Sequence, residues 1–230
     1  MKRFLTILLT LLFFSQNLKA QNEDLETSRF VATLMPFSLI DFNPHIRMGL
    51  EYYSSERLGY SIDFGYGNNS FSQTFDRDLS TEYAFYEFRA ELKYFFVLRE
   101  YIAFYVGSEF FSITTEDVLE AGWYRKSEYP QQGDLDLITN YERADFFRQK
   151  FGVHVKAGLK LIAFKRVDFD FYAGLGAAYR NIEYSNVVNP RDDEYHAWQD
   201  FWSERQANEG RELIFHMALG IKAGIILWEK

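Results

Sequence analysis

Near the end of the chain, Leu213, Phe215, Met217, Leu219, Ile221, Ala223, Ile225 and Leu227 alternate with His216, Ala218, Gly220, Lys222 and Gly224. A side-chain period of two belongs to a β-strand, because successive Cβ atoms point to opposite faces and a helix would mix the two sets. The run outlasts the usual strand of a soluble domain, about five or six residues. The same period recurs upstream. Ile46, Met48, Leu50 and Tyr52 alternate with His45, Arg47, Gly49 and Glu51, and Tyr86, Phe88, Ala90, Leu92 and Tyr94 with Glu87, Arg89, Glu91 and Lys93. Phe151, Val153, Val155, Ala157 and Leu159 alternate with Gly152, His154, Lys156, Gly158 and Lys160. Together these patterns predict eight strands, over 29–39, 45–54, 57–67, 83–97, 99–114, 147–163, 166–185 and 211–228.

The connections carry a second, independent pattern. Those at 54–56, 98–100 and 165–166 are tight, whereas 68–82, 115–146 and 186–210 are long; only 41–44 is short where a long one is expected. Short turns at one end and long loops at the other are the signature of an up-and-down antiparallel barrel in an outer membrane, with the N-terminus on the periplasmic side. A secreted soluble β-barrel or sandwich would alternate too, with its apolar face turned inward. The polar face favours the membrane alternative. It carries Gly49, Gly65, Gly107, Gly152, Gly158, Gly174, Gly176, Gly220 and Gly224 among its charges. Glycine weakens a solvated strand, but inside a narrow barrel it leaves room for a long Arg or Lys from a neighbouring strand.

The N-terminus adds an export signal. Met1-Lys2-Arg3 is a basic start, residues 4–14 form an apolar core too short to span a membrane, and Leu18-Lys19-Ala20 ends on a small residue. Cleavage is expected after Ala20, leaving 21–230 as one barrel domain. With no cysteine in the chain, neither an N-terminal lipid nor a disulfide is available.

A mean hydropathy of −0.28 and 25% charged residues would argue against a membrane protein built of helices. A barrel needs apolar residues only at alternate positions, and the 19% aromatic content suits strands and interfacial girdles. The net charge of −8 becomes −11 once Lys2, Arg3 and Lys19 are removed, since residues 1–20 contain no acid. A nucleic-acid partner is disfavoured, because phosphate-binding surfaces need clustered Lys and Arg.

The stretch Ile40-Asp41-Phe42-Asn43-Pro44-His45-Ile46-Arg47-Met48-Gly49-Leu50-Glu51-Tyr52, then a tight turn and Leu58 to Gly67, resembles the opening hairpins of small bacterial outer-membrane barrels. In style it is similar to barrels common in Bacteroidota and, more loosely, to the OmpA/OmpX architecture. The resemblance covers the mature chain and implies an eight-stranded antiparallel transmembrane up-and-down β-barrel in the outer membrane of a Gram-negative cell. It carries over no catalytic residue.

Assigning the polar faces to the lumen places Glu51, Asp63, Glu87, Glu91, Glu109, Asp168 and Asp170 opposite Arg47, Arg89, Lys93, Lys156, Lys160, Arg180 and Lys222. An unpaired charge in so narrow an interior is costly, so a structural network of ion pairs that fills the lumen is expected. A selective ion path along those charges is the alternative. His154 and His216 point the same way, but no serine sits near either of them on the lumen face, so structural histidines are expected rather than a hydrolase site. No metal-ligand spacing or nucleotide fingerprint occurs, and no cofactor is expected. The loops 115–146 and 186–210 are acidic and hold Trp123, Tyr124, Tyr129, Trp198 and Trp202, candidate anchors for an extracellular protein or small ligand. The expectation is a monomeric, non-enzymatic barrel with a structural or surface-interaction role. The rivals are a lipid A-modifying enzyme, a small diffusion pore and a secreted soluble β-protein.

Overall fold

The computed structural model describes residues 28–40, 43–74, 80–99, 101–125, 137–163, 166–194 and 208–229. The strands are β1 (Arg29–Met35), β2 (Ile46–Tyr53), β3 (Leu58–Asn68), β4 (Ala84–Arg99), β5 (Ile102–Arg125), β6 (Leu137–Ala163), β7 (Val167–Val188), β8 (Arg191–Glu194) and β9 (Gly210–Glu229). Each pairs antiparallel with its chain neighbour from β1 to β7, β9 pairs with β7, and β9 returns to β1 to close a ring of eight. The ninth strand, β8, lies outside the ring along the first residues of β6.

The faces are inverted relative to a soluble protein. Leu219 is 84% exposed and Val155 72%, while Lys156, Glu109 and Asp170 are 1% exposed. Apolar side chains standing outward around the whole ring, over a charged interior, make this a transmembrane barrel and exclude the soluble alternative. Aromatic pairs mark both edges of the apolar band: Tyr66–Tyr86 and Phe151–Tyr179 at one end, Phe30–Trp228 and Tyr52–Tyr60 at the other. Two bulges tune the pattern. One at Phe96 sets Val97 opposite the outward Phe104 directly after the outward Phe96, and one at Leu227 leaves both Leu227 and Trp228 outside.

Strand lengths depart from the sequence expectation. The first strand stops at Met35, because Pro36 has no N–H for the ladder and opens a 3-10 turn over Pro36–Ile40. The expected loop 115–146 is largely strand. β5 and β6 stay paired from Ile102↔Leu161 to Arg125↔Ile138, far past the apolar band, and β7 follows β6 as far as Val188↔Arg143. The expected loop 186–210 likewise contains the end of β7 and all of β8. One wall therefore projects as a three-stranded sheet while the β1–β2 wall is short.

Candidate functional site

The lumen begins, at the end where the chain enters, with an aromatic floor. Tyr53, Phe95 and Tyr105 pack in sequence, with ring centroids 5.7 Å and 5.3 Å apart, against Val31 and Ala103. Above the floor lies a tier in which every cation is a lysine. Lys93 reaches Glu51 at 2.7 Å and Asp170 at 2.5 Å; Lys160 reaches Glu51 at 2.7 Å and Asp168 at 3.0 Å. Lys222 meets Asp63 at 2.7 Å, and Lys156 meets Glu91 at 3.0 Å and Glu109 at 2.9 Å. The floor is tied to this tier, since Tyr53 donates to Glu51, Tyr105 donates to Asp170 at 2.9 Å, and Lys160 donates to the Tyr53 hydroxyl. Burial forces this mutual satisfaction, because each carboxylate would otherwise be stranded in a dry interior.

The next tier uses arginine and histidine. Arg89 forks between Glu87 at 2.7 Å and Glu109 at 2.6 Å, and Arg47 meets Glu87 at 3.2 Å and donates to the Tyr172 hydroxyl at 2.6 Å. His45 pairs with Glu87 at 3.1 Å through Nε2 and with the Asn43 carbonyl at 2.6 Å through Nδ1. Both partners are acceptors, so whichever ring nitrogen carries a proton has an oxygen to donate to. Gly65 makes this meeting possible, since a Cβ there would come within 2.9 Å of the Glu87 Cβ and 3.0 Å of the His45 ring.

Glu109 also starts a chain through two histidines. His154 Nδ1 lies 3.0 Å from Glu109 and its Nε2 lies 2.9 Å from His216 Nδ1, with Phe111 stacked on both rings. In the ladder His154 and His216 both face Gly176 of the strand between them. A side chain at that position would be driven into the Val153 carbonyl and the His154 backbone, so the two rings can meet only across a glycine.

A cavity of about 350 Å³ opens beside this tier, lined by Arg47, Glu87, Arg89, Arg148, Lys150 and His216 together with Ser38, Tyr172 and the outer-facing Phe37, Met217 and Leu219. Arg148 donates to Asn43 Oδ1 at 3.2 Å and to Thr115 at 3.5 Å. Asp117, on the same face of β5, accepts from the Val118 and Ser80 backbone N–H groups.

Of the residues singled out in the sequence, Arg47, Glu51, Asp63, Glu87, Arg89, Glu91, Lys93, Glu109, Lys156, Lys160, Asp168, Asp170 and Lys222 lie in these two tiers. Arg180 does not. It pairs with Glu212 of β9 at 2.6 Å and is half-buried, on the ladder level of Lys150 above the two tiers. Trp123 and Tyr124 are strand residues of β5 rather than loop anchors. Tyr124 is buried, stacked on Tyr184 at 4.4 Å in a cluster with Tyr141 and Phe146. Tyr129, Trp198 and Trp202 lie outside the described residues.

His45, Arg148, Lys150, Tyr53, Tyr105 and Tyr172 were not picked out as site residues. Their parity was readable, since positions 148 and 150 share the face of 154 and 156. What hid them is that aromatic residues on a charged face look like pattern errors until the face is known to be an interior. The serine that lines the cavity, Ser38, comes from the 3-10 turn after Pro36.

No family model matches the chain, and no curated protein matches it. Among solved structures the chain is similar to neisserial surface protein A, with 14% identity over 86% of this chain and 95% of that chain, at a TM-score of 0.37. The functional reading therefore rests on the chain's own geometry.

Proposed function

We propose that this chain is an outer-membrane β-barrel without enzymatic activity, closed to solutes, that anchors the projecting β5–β7 sheet at the cell surface. The observation that carries the reading is the filled lumen: the aromatic floor and the lysine tier leave the barrel interior packed with side chains 6% exposed or less. An eight-stranded barrel has an interior just wide enough for side chains, so such packing leaves no continuous water path. Both faces of the membrane-level strands are occupied by lipid and lumen contacts, which leaves the projecting sheet and its connections as the surface free to meet a partner. The test is cell fractionation with gel mobility before and after boiling. Outer-membrane recovery with a heat-dependent shift is expected, and a soluble product would overturn the reading.

A lipid-modifying enzyme is the competing reading, and one observation favours it. The Glu109–His154–His216 chain ends at the cavity, where His216 could take a proton from an attacking water. Mass spectrometry of lipid A from cells with and without the protein decides it, with a change abolished by His216→Gln supporting the enzyme.

A further inference from the structure

The ring is closed unevenly. Leu34↔Ala223 is the last ladder pair between β1 and β9, and from Lys222 back to Gly210 the only ladder partner of β9 among the described residues is β7. The outward apolar side chains along this stretch are well exposed, with Leu219 at 84% and Leu213 at 74%. Backbone groups left unpaired at a strand edge are costly in hydrocarbon, so this edge needs a polar partner.

The cavity lies at this gap. Its outer rim is apolar, formed by Phe37, Met217 and Leu219, and its inner wall presents Arg47, Arg89, Arg148 and Lys150, with Glu87 the one carboxylate among its described lining residues. Arg47 is 5% exposed, and its Nε has no hydrogen-bond partner among the described residues. An apolar rim open to the bilayer and a cationic interior match one kind of molecule, an amphiphile with an anionic head. A free anion would match the interior but give the apolar rim no role.

We propose that this cavity binds the phosphate-bearing headgroup of an anionic membrane lipid, which enters sideways through the gap between β1 and β9 and leaves its acyl chains in the bilayer. The proposal rests on the membrane-spanning reading. At about 350 Å³ the cavity has room for a headgroup and not for the chains as well. Headgroup oxygens would also accept from N–H groups along the open edge of β9.

The test uses the full barrel in mild detergent, equilibrated with vesicles of phosphatidylglycerol or phosphatidylcholine and weighed intact by native mass spectrometry. One retained phosphatidylglycerol per barrel is expected, with phosphatidylcholine retained at least about tenfold less. The double variant Arg148→Gln/Lys150→Gln should lose about tenfold or more of that retention while keeping its heat-dependent gel shift. If it does not fold, Lys150→Gln alone is read the same way. Since the chain has no cysteine, photocrosslinkers placed at Leu219→Cys and Val155→Cys give a second readout in the otherwise wild-type barrel. Lipid capture should be strong from position 219 and weak from 155 on a closed part of the wall. Equal retention of the two lipids, or unchanged retention in the variant, would overturn the proposal. So would binding of inorganic phosphate with no lipid preference, or pairing of two barrels through the open edge. Failure of the wild-type protein to insert would instead overturn the membrane reading beneath it.

Discussion

At the scale of single residues, the chain places three glutamates so that each is shared. Glu51 serves Lys93 and Lys160, Glu87 serves Arg47, Arg89 and His45, and Glu109 serves Arg89, Lys156 and His154. Sharing makes the network sensitive to the loss of one cation. Arg89→Met should destabilise the refolded barrel by about 3 to 5 kcal/mol, because Glu87 and Glu109 stay buried with one donor fewer. Arg89→Lys should recover only part of this, since an ammonium cannot fork between two carboxylates as the guanidinium does. Urea unfolding of the refolded protein in detergent measures both. Gly176→Ala is the steric counterpart. Its methyl would press on the Val153 carbonyl and lie 2.9 Å from the His154 Cα, so an overpacking cost of about 1 to 3 kcal/mol is expected in the same measurement.

At the scale of elements, the short first strand and the long β5–β6 hairpin divide the wall into a low side and a high side. An arginine on the lipid face of a continuous wall costs about 2 to 4 kcal/mol near the bilayer midplane. Val155→Arg, flanked on both sides by paired strands, should show that full cost in vesicle insertion. Leu219→Arg should cost less, because the gap beside it lets the guanidinium turn toward the polar cavity. Equal costs at the two positions would mean that the wall is closed at β9. The projecting hairpin should be separable from the barrel. Val118 and Asp145 face each other in the ladder, so 119–144 can be replaced by a short Gly-containing turn. The shortened protein should keep its heat-dependent gel shift, since the buried tiers and the floor lie below the cut.

For the whole molecule, the ordering along the axis is floor, lysine tier, arginine–histidine tier and projecting sheet. Solutes would have to cross the floor and the lysine tier, where Lys93, Lys156, Lys160 and Lys222 are each 1% exposed or less. Planar-bilayer recordings of the purified protein should therefore show no stable conductance steps. Regular steps would mean that the tiers part in the membrane and would favour a pore. The same ordering separates two roles, since the lower half seals the barrel and the cavity in the upper half communicates with the wall.

The alternation of Leu213 to Leu227 and of Tyr86 to Tyr94 was enough to define strands and their two faces, because a period of two is a property of the backbone itself. Loop lengths and face glycines were enough for a barrel, and the parity of Glu51, Lys93, Lys160 and Asp170 placed them on one face. Strand ends were not legible. Residues 115–125 break the two-residue period, with acids at 116, 117 and 120, and they are strand because 138–148 lie beside them to complete the ladder. Nor were the pairings: Glu51 is 109 residues from Lys160, and the stagger of strands around the closed ring decides that they meet. The same holds for the gap and its cavity. They exist because β1 ends at Pro36 while β9 continues, a mismatch between distant strands that appears only once the ring is closed.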